Sequence, residues 1–366
     1  MKATIRAAWN QHSFEKAFPL KPPSLNVDEV RRVIAKLPRV PLAHLPTPLE
    51  EAPRFARRIE GPRVFLKRDD CTGMLMGGNK TRHNEFLLAD ALQKKADMLV
   101  WGAGIQSNNC RQTAAACAKL GLECHLYLTR TTHNDDIQGN LLLDHLMGAH
   151  VHVVDVPMGP AMDDLLLAKA EEFRKAGRRP YVWDRVTGRP LAAVSYVLCL
   201  AEIAEGLQRH GVEPSAVYCA AAGATGAGLA LGRAILGLPW RVRLISPIRW
   251  PWDTPADLAE VANQSAALLG LPHRLTAKDI DIRDDYIGPN YGVVTPGGRE
   301  ALDLLARTEG ILLDPAYTSK AMAGLIDDVR QGRVEHDKPL VFLHTGGTPA
   351  VFAYRDELMG ASSGIH

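Results

Sequence analysis

The chain lacks the patterns that would send it out of the cytosol or onto a nucleic acid. Its six cysteines (Cys71, Cys110, Cys117, Cys124, Cys199 and Cys219) include no CxxC pair. Cys110, Cys117 and Cys124 fall seven apart on a mostly helical stretch, too wide for a zinc site, and no histidine pair accompanies them. They read as small buried hydrophobes of a reducing compartment. No segment reaches the ~18 apolar residues that span a bilayer. The longest, Leu191 to Ala204, is interrupted by Ser195 and Glu202. Met1-Lys2-Ala3-Thr4-Ile5-Arg6 has no apolar signal-peptide stretch. Charge of one sign is missing too: 43 Lys and Arg against 41 Asp and Glu leave a net +2, with no basic stripe. Neither nucleic acid nor a membrane is therefore an expected partner, and the expected location is cytoplasmic.

Motifs for metals and nucleotides are absent as well. His83, His125 and His145 form no HExxH or HxxxH pair. They are expected in solvent or in the core, and no metal is expected. No G-x-G-x-x-G follows the first strand and no ribose-binding acid comes after it, which argues against a nucleotide-dependent dehydrogenase. Gly360-Ala361-Ser362-Ser363-Gly364 matches the GxSxG nucleophile elbow in form, but no helix follows, so a frayed tail is expected.

What is present is alternation. The 366 residues, 46% hydrophobic and 23% charged, suit a soluble enzyme with two domains or one large α/β domain carrying an insertion. The first 50 residues are proline-rich, with one helix over 27–36 that Asn26 caps. Short apolar runs at 63–67, 97–101, 123–129 and 151–156 predict strands. They alternate with helices over 79–94, 107–120 and 140–147. A later series has strands at 216–220, 241–246 and 340–343, a helix from the Gly223 loop to 236, and helices over 300–307 and 318–331. Such alternation predicts parallel βαβ units.

Three strand ends carry the chemistry. Gly77-Gly78-Asn79-Lys80-Thr81-Arg82 opens a long helix, and Gln106-Ser107-Asn108-Asn109 follows one helix and one strand later. A lysine against a glycine pair suits Schiff-base chemistry, because burial suppresses its charge and glycine lets a planar ligand approach. Gly223-Ala224-Thr225-Gly226-Ala227-Gly228 lies between a strand and a helix and offers free N–H groups to an anion. It is not a Walker loop, and a tight structural turn is an equal reading of that loop alone. His344-Thr345-Gly346-Gly347 ends the last strand, where ligands gather in open α/β sheets. Glycine-rich strand ends plus one lysine point to a cofactor with one phosphate and one aldehyde, pyridoxal 5'-phosphate (PLP).

With these motifs in this order, the chain resembles the D-cysteine desulfhydrase and 1-aminocyclopropane-1-carboxylate (ACC) deaminase family, PLP enzymes of the tryptophan synthase β-subunit fold. The likeness runs from about Leu45 to Tyr354 and is strongest in Phe65–Leu92, Gly104–Leu122, Asp285–Leu325 and Phe342–Tyr354. It implies an α/β, fold type II architecture: two open parallel-sheet domains with the cofactor in the cleft between them. Residues 1–81 plus 191–366 would form the larger domain and 82–190 the smaller insert. It implies that Lys80 carries the cofactor and that Asn79 and Asn108 hold it, Asn108 at the phenolic oxygen. Gly223, Ala224, Thr225 and Gly226 would cradle its phosphate, and Thr345 would face its ring nitrogen. Ser107, Asn108 and Asn109 match the substrate-carboxylate loop, and Tyr286 and Tyr317 match tyrosines over the substrate. The proton-abstracting base is Lys80, or Ser107 aided by a tyrosine.

The implied reaction is α,β-elimination from a small β-substituted amino acid to pyruvate, ammonia and the leaving group, by a homodimer. Thr318 stands where ACC deaminases carry a glutamate, which disfavours that activity. Trp183-Asp184-Arg185-Val186-Thr187-Gly188-Arg189 and Arg249-Trp250-Pro251-Trp252 depart from the family pattern. If Arg185, Arg189 or Arg249 lined the pocket, a sulfonate such as cysteate would suit it; solvated surface arginines are the other reading. A binding subunit without activity is a further alternative, against which the intact Lys80 stands.

Overall fold

The computed structural model describes residues 22–130, 136–183 and 188–359. Arg185, the opening residues and the GxSxG segment lie outside them. Among the described residues, ten strands form two sheets. β1 (Leu49–Glu51), β2 (Val64–Arg68), β7 (Ala216–Ala220), β8 (Arg241–Ile245), β9 (Asp281–Arg283) and β10 (Leu340–His344) build the larger, in the order β1-β2-β10-β7-β8-β9. β3 (Met98–Gly104), β4 (Glu123–Thr129), β5 (His150–Val154) and β6 (Pro180–Val182) build the smaller, in the order β5-β4-β3-β6. Every pairing is parallel except β1 with β2. The smaller sheet lies wholly within residues 82–190.

Around the sheets run α1 (Val27–Ile34), α2 (Pro53–Arg58), α3 (Asn79–Gln93), α4 (Asn108–Leu120), α5 (Gly139–Leu146), α6 (Pro160–Lys175), α7 (Gly188–Arg209), α8 (Ala224–Leu236), α9 (Thr254–Leu268), α10 (Pro296–Glu309) and α11 (Thr318–Arg330). Asn26 caps α1 in a reciprocal box with Glu29.

The central strands are apolar without a break because both faces are covered. In β10, Val341 and Leu343 enter the layer under α7 and α8, while Leu340 and Phe342 enter the opposite layer with α10 and α11. β7 divides the same way, Val217 and Cys219 against Tyr218 and Ala220. Cys110, Cys117, Cys124, Cys199 and Cys219 are buried free thiols, and Cys71 is exposed.

Helices α2, α6, α7 and α9 and strands β1, β6 and β9 had no sequence signal strong enough to predict them. For α7 the reason is plain: it packs against α1, α3, α8 and α9, so no polar face gives it a period. It is also long and apolar enough to cross a membrane, yet 72% of that window is buried inside the protein. Its packing on α8 is close: a Cβ at Gly228 would fall 2.1 Å from the Ala193 carbonyl oxygen.

Candidate active site

The C-terminal strand edges of both sheets converge on a cleft of about 280 Å³. Two glycines flank lining residues, Gly78 before Asn79 and Gly346 after Thr345. Gly78, at φ 128°, would carry a Cβ 2.5 Å from the Gln112 side chain. Gly346, at φ 90°, would carry one 2.7 Å from the Gly78 Cα. Here the glycines serve close approach of protein to protein, not of a planar ligand as the sequence alone implies. Their effect is to bring the Asn79 N–H onto the Thr345 carbonyl at 3.0 Å, which ties the start of α3 to the end of β10.

Lys80 follows directly. It lines the cleft and is partly exposed there, with protein packed densely around it. Burial lowers its pKa from 10.5 to about 8, only partly opposed by the Cys219 sulfur. One turn on, His83 Nε2 meets Thr225 Oγ1 at 3.1 Å. Burial and then Lys80 push His83 well below its usual pKa, so the ring is neutral. Two residues from Lys80, Arg82 turns the other way and pairs with Asp69 and Glu202 beneath the helix.

Helix α8 starts at Ala224 without a side-chain cap, so its first N–H groups are free for an anion. A Cβ on Gly223 would meet nothing within 4 Å, which leaves room there for a ligand. Asn79 Nδ2 donates to Thr225 Oγ1 at 3.0 Å and orients the hydroxyl. At Gly226 the absent side chain makes way for Leu244, 2.8 Å from an added Cβ, while its backbone N–H stays among the free groups of the helix start.

Across the cleft, Ser107 Oγ caps α4 by accepting from the Asn109 and Cys110 N–H groups. Asn140 Nδ2 donates to Asn108 Oδ1 at 2.9 Å, which leaves the Asn108 amide nitrogen as its group for a ligand. Asn79, Ser107, Asn108, Asn109, Thr225, Tyr317 and Thr345 all line the cleft.

Two residues expected to meet the substrate do not line the cleft. Tyr286 donates to Asp327 at 2.6 Å and lines a separate pocket with Thr295 and Arg330. The tyrosine paired with Tyr317 is instead Tyr291, whose hydroxyl meets the Tyr317 hydroxyl inside the cleft. Thr318 is buried behind Tyr317 with its Oγ1 on Asp314 at 2.6 Å. Asp314 also accepts from the Ala316, Tyr317 and Thr318 N–H groups, and this loop holds Tyr317 in place.

Of the arginines, Arg249 is exposed and pairs with Asp284 at 3.3 Å. Arg189 does line the cleft, yet its guanidinium is forked onto Asp257, with Nη1 at 3.0 Å from Oδ1. The remaining wall is aromatic and was not foreseen. Trp101 and Trp183 pack at 4.5 Å from the smaller-sheet side, and Trp250 stacks on Trp252 at 4.8 Å from the loop after β8. Their scatter along the chain gave no pattern to read.

A family model described as "Pyridoxal-phosphate dependent enzyme" matches residues 40–346. The chain belongs to this family. It is 41% identical over 325 residues to a D-cysteine desulfhydrase of Salmonella paratyphi A, covering 88% of this chain and 97% of that protein. The Salmonella newport D-cysteine desulfhydrase matches equally. Among solved structures, an ACC deaminase homologue superposes with TM-score 0.82 at 35% identity, covering 90% of this chain and 98% of that one. Diaminopropionate ammonia lyase from Escherichia coli shares the fold, at TM-score 0.65 and 14% identity over 92% of each chain. The fold is therefore the type II fold of PLP enzymes.

The residues fit the cofactor that the family name requires. An uncapped helix start with open space at Gly223 suits a phosphate, and a near-neutral buried lysine suits an aldehyde.

Proposed function

We propose that the protein is a PLP-dependent lyase that eliminates the β-substituent of a small amino acid, with D-cysteine as the reference substrate. The products are pyruvate, ammonia and the released thiol or sulfide. The observation that carries this reading is the buried Lys80 amine, lowered to about pH 8, facing the Ser107–Asn109 loop in one cleft. The 41% identity to D-cysteine desulfhydrases over most of the chain supports the choice of reaction.

In this reading the α8 N-terminus, Thr225 and Asn79 hold the phosphate, and Thr345 presents its hydroxyl to the ring nitrogen. Bound PLP supplies the electron sink that makes the substrate Cα–H acidic. The start of α4, with Ser107, Asn108 and Asn109, binds the substrate carboxylate through the Ser107 hydroxyl, the Asn108 N–H that the cap leaves free and the helix dipole. Lys80 Nζ, neutral at the moment of transfer, takes the proton from Cα. Tyr317 and Tyr291 share one hydroxyl-to-hydroxyl contact, so either can pass a proton to the departing β-substituent. Expulsion of that group leaves 2-aminoacrylate, which water converts to pyruvate and ammonia.

Two alternatives lose support. Thr318 is buried on Asp314 and puts no group in the cleft, so ring opening of ACC has no helper there. A sulfonate would need a free cation, and Arg189 is neutralised by Asp257 while Arg249 lies outside. We take the working protein to be a cytoplasmic homodimer; Ile137, Leu142 and Leu146 around α5 and the neighbouring Phe352 are exposed apolar side chains suited to a second copy.

The test is release of pyruvate and ammonia from D- and L-cysteine, β-chloroalanine, serine, cysteate and ACC by the cofactor-loaded enzyme. Turnover of D-cysteine with little from cysteate and ACC is expected. Silence on every β-substituted alanine would overturn the reading.

A further inference from the structure

A second cluster of side chains lies far from the cleft, at the N-terminal ends of β4 and β5. Glu123, His125 and Tyr127 alternate onto one face of β4. The parallel register sets His125 beside His150 and Tyr127 beside His152, so both β5 histidines share that face. The rings form a ladder: His150 stacks on His125 at 4.5 Å and His152 stacks on Tyr127 at 4.6 Å. Phe173 of α6 closes over His125 at 4.5 Å.

Among the described residues, Glu123, His125 and His150 form a group with ligand atoms all within 4.8 Å of one another. His125 Nε2 is 2.8 Å from Glu123 Oε1, and His150 Nε2 is 3.5 Å from the same oxygen. Donors around a tetrahedral zinc ion are roughly 3.4 Å apart, given bonds of about 2.0–2.1 Å. His150 is half exposed and can turn to close the remaining gap.

We propose that Glu123, His125 and His150 form a binding site for a divalent first-row transition metal of the zinc, nickel or copper type. Two imidazoles and one carboxylate suit these ions and not magnesium or calcium, which prefer all-oxygen cages. The surroundings resemble a ligand shell. His125 Nδ1 lies 3.3 Å from His152 Nε2, a contact that directs Nε2 toward the metal. Arg178 Nη2 holds Glu123 Oε2 at 2.5 Å, which leaves Oε1 to coordinate. When the metal takes Nε2, the single ring proton of His125 sits on Nδ1 facing His152 Nε2, and the contact between Nε2 and Glu123 Oε1 gives way to two bonds to the metal. Coordination would clamp β4 to β5 at the edge of the smaller sheet, opposite the catalytic end. Sequence spacing could not reveal the site, because His125 and His150 belong to different strands.

The test is titration of the PLP-loaded protein with Zn²⁺ by calorimetry and by thermal unfolding, with Mg²⁺ as control. Wild type is expected to bind one Zn²⁺ per chain and to gain a few degrees in Tm, while Mg²⁺ does neither. His150→Ala and Glu123→Gln, both partly exposed positions that leave the fold intact, should each weaken Zn²⁺ binding by at least about tenfold. PLP absorbance and turnover should be unchanged in both. No binding by wild type, or equal binding by both variants, as at exposed Cys71, would overturn the proposal.

Discussion

Lys80 and Arg82 are two residues apart on one helix, both enclosed by protein, and their surroundings could hardly differ more. Below α3, Arg82 meets Asp69 at 2.8 Å and Glu202 at 2.8 Å, and Lys67 reaches Glu202 at 2.8 Å. Tyr196 and Thr47 add hydrogen bonds to Asp69. Two cations face two anions, so this buried layer carries no net charge. Burial acts against the Arg82 charge, but Asp69 and Glu202 more than offset it and hold the guanidinium protonated. Above the helix, Lys80 has burial and no carboxylate to compensate, and its amine drops to about 8. The same burial thus leaves one side chain a paired charge and the other an amine of lowered pKa. The deciding factor is the side of the helix on which the carboxylates lie.

The sharpest way to break this contrast is Lys80→Ala. Turnover should fall by more than about 10³-fold, because both the cofactor attachment and the proton acceptor go. Thermal stability should hold or rise, since a desolvated amine has been removed; a large drop in Tm would contradict the contrast. Arg82→Met should do the reverse. It leaves Asp69 and Glu202 buried against Lys67 alone and should cost about 3–5 kcal/mol, read from the denaturant midpoint. A variant as stable as wild type would mean that the layer is not an interdependent network.

The tyrosines offer a smaller effect. Tyr291→Phe should lower kcat by roughly 10²-fold if its hydroxyl serves proton transfer. Tyr286→Phe, whose hydroxyl is committed to Asp327, should change kcat less than about twofold by the standing cost of an exposed pair. Equal losses in both would undo the assignment of the cleft tyrosine.

The mildest test is pH. The rate at which stripped protein recaptures PLP should rise with pH and level off above about 8, as Lys80 becomes neutral. A flat profile between pH 6 and 9 would show that the amine is not depressed. The linkage sign agrees: the folded pKa lies below 10.5, so the unfolded chain binds more protons between about 8 and 10.5. Stability from Lys80 therefore grows as pH rises through that window and is lost below it.

Much of the cleft was readable because it is built from contiguous stretches at strand ends. GGNK, SNN, the Gly223 loop and His344-Thr345 each announce a turn after a buried strand, and the alternating elements place those turns on one side. Tyr286 was misread because two tyrosines lie five residues apart in an irregular loop, where no period fixes direction. At Gly226 the sequence could not show that the missing side chain makes room for Leu244, because a glycine-rich loop looks alike whether the space serves a ligand or a neighbouring side chain. The arginines needed their partners: Asp257 is 68 residues from Arg189, and Asp284 is 35 from Arg249.

The sequence by itself determined the family and the parallel α/β architecture and singled out the candidate lysine, since local turn chemistry and apolar runs are properties of neighbouring residues. Tertiary structure decided what the pocket excludes and which groups act together. It turned Arg189 onto Asp257, withdrew Thr318 behind Asp314, set four tryptophans around the cleft and joined His125 to His150 across two strands. Those outcomes depend on contacts between residues remote in the chain, where the energy of a charge or ring is set by what packs against it.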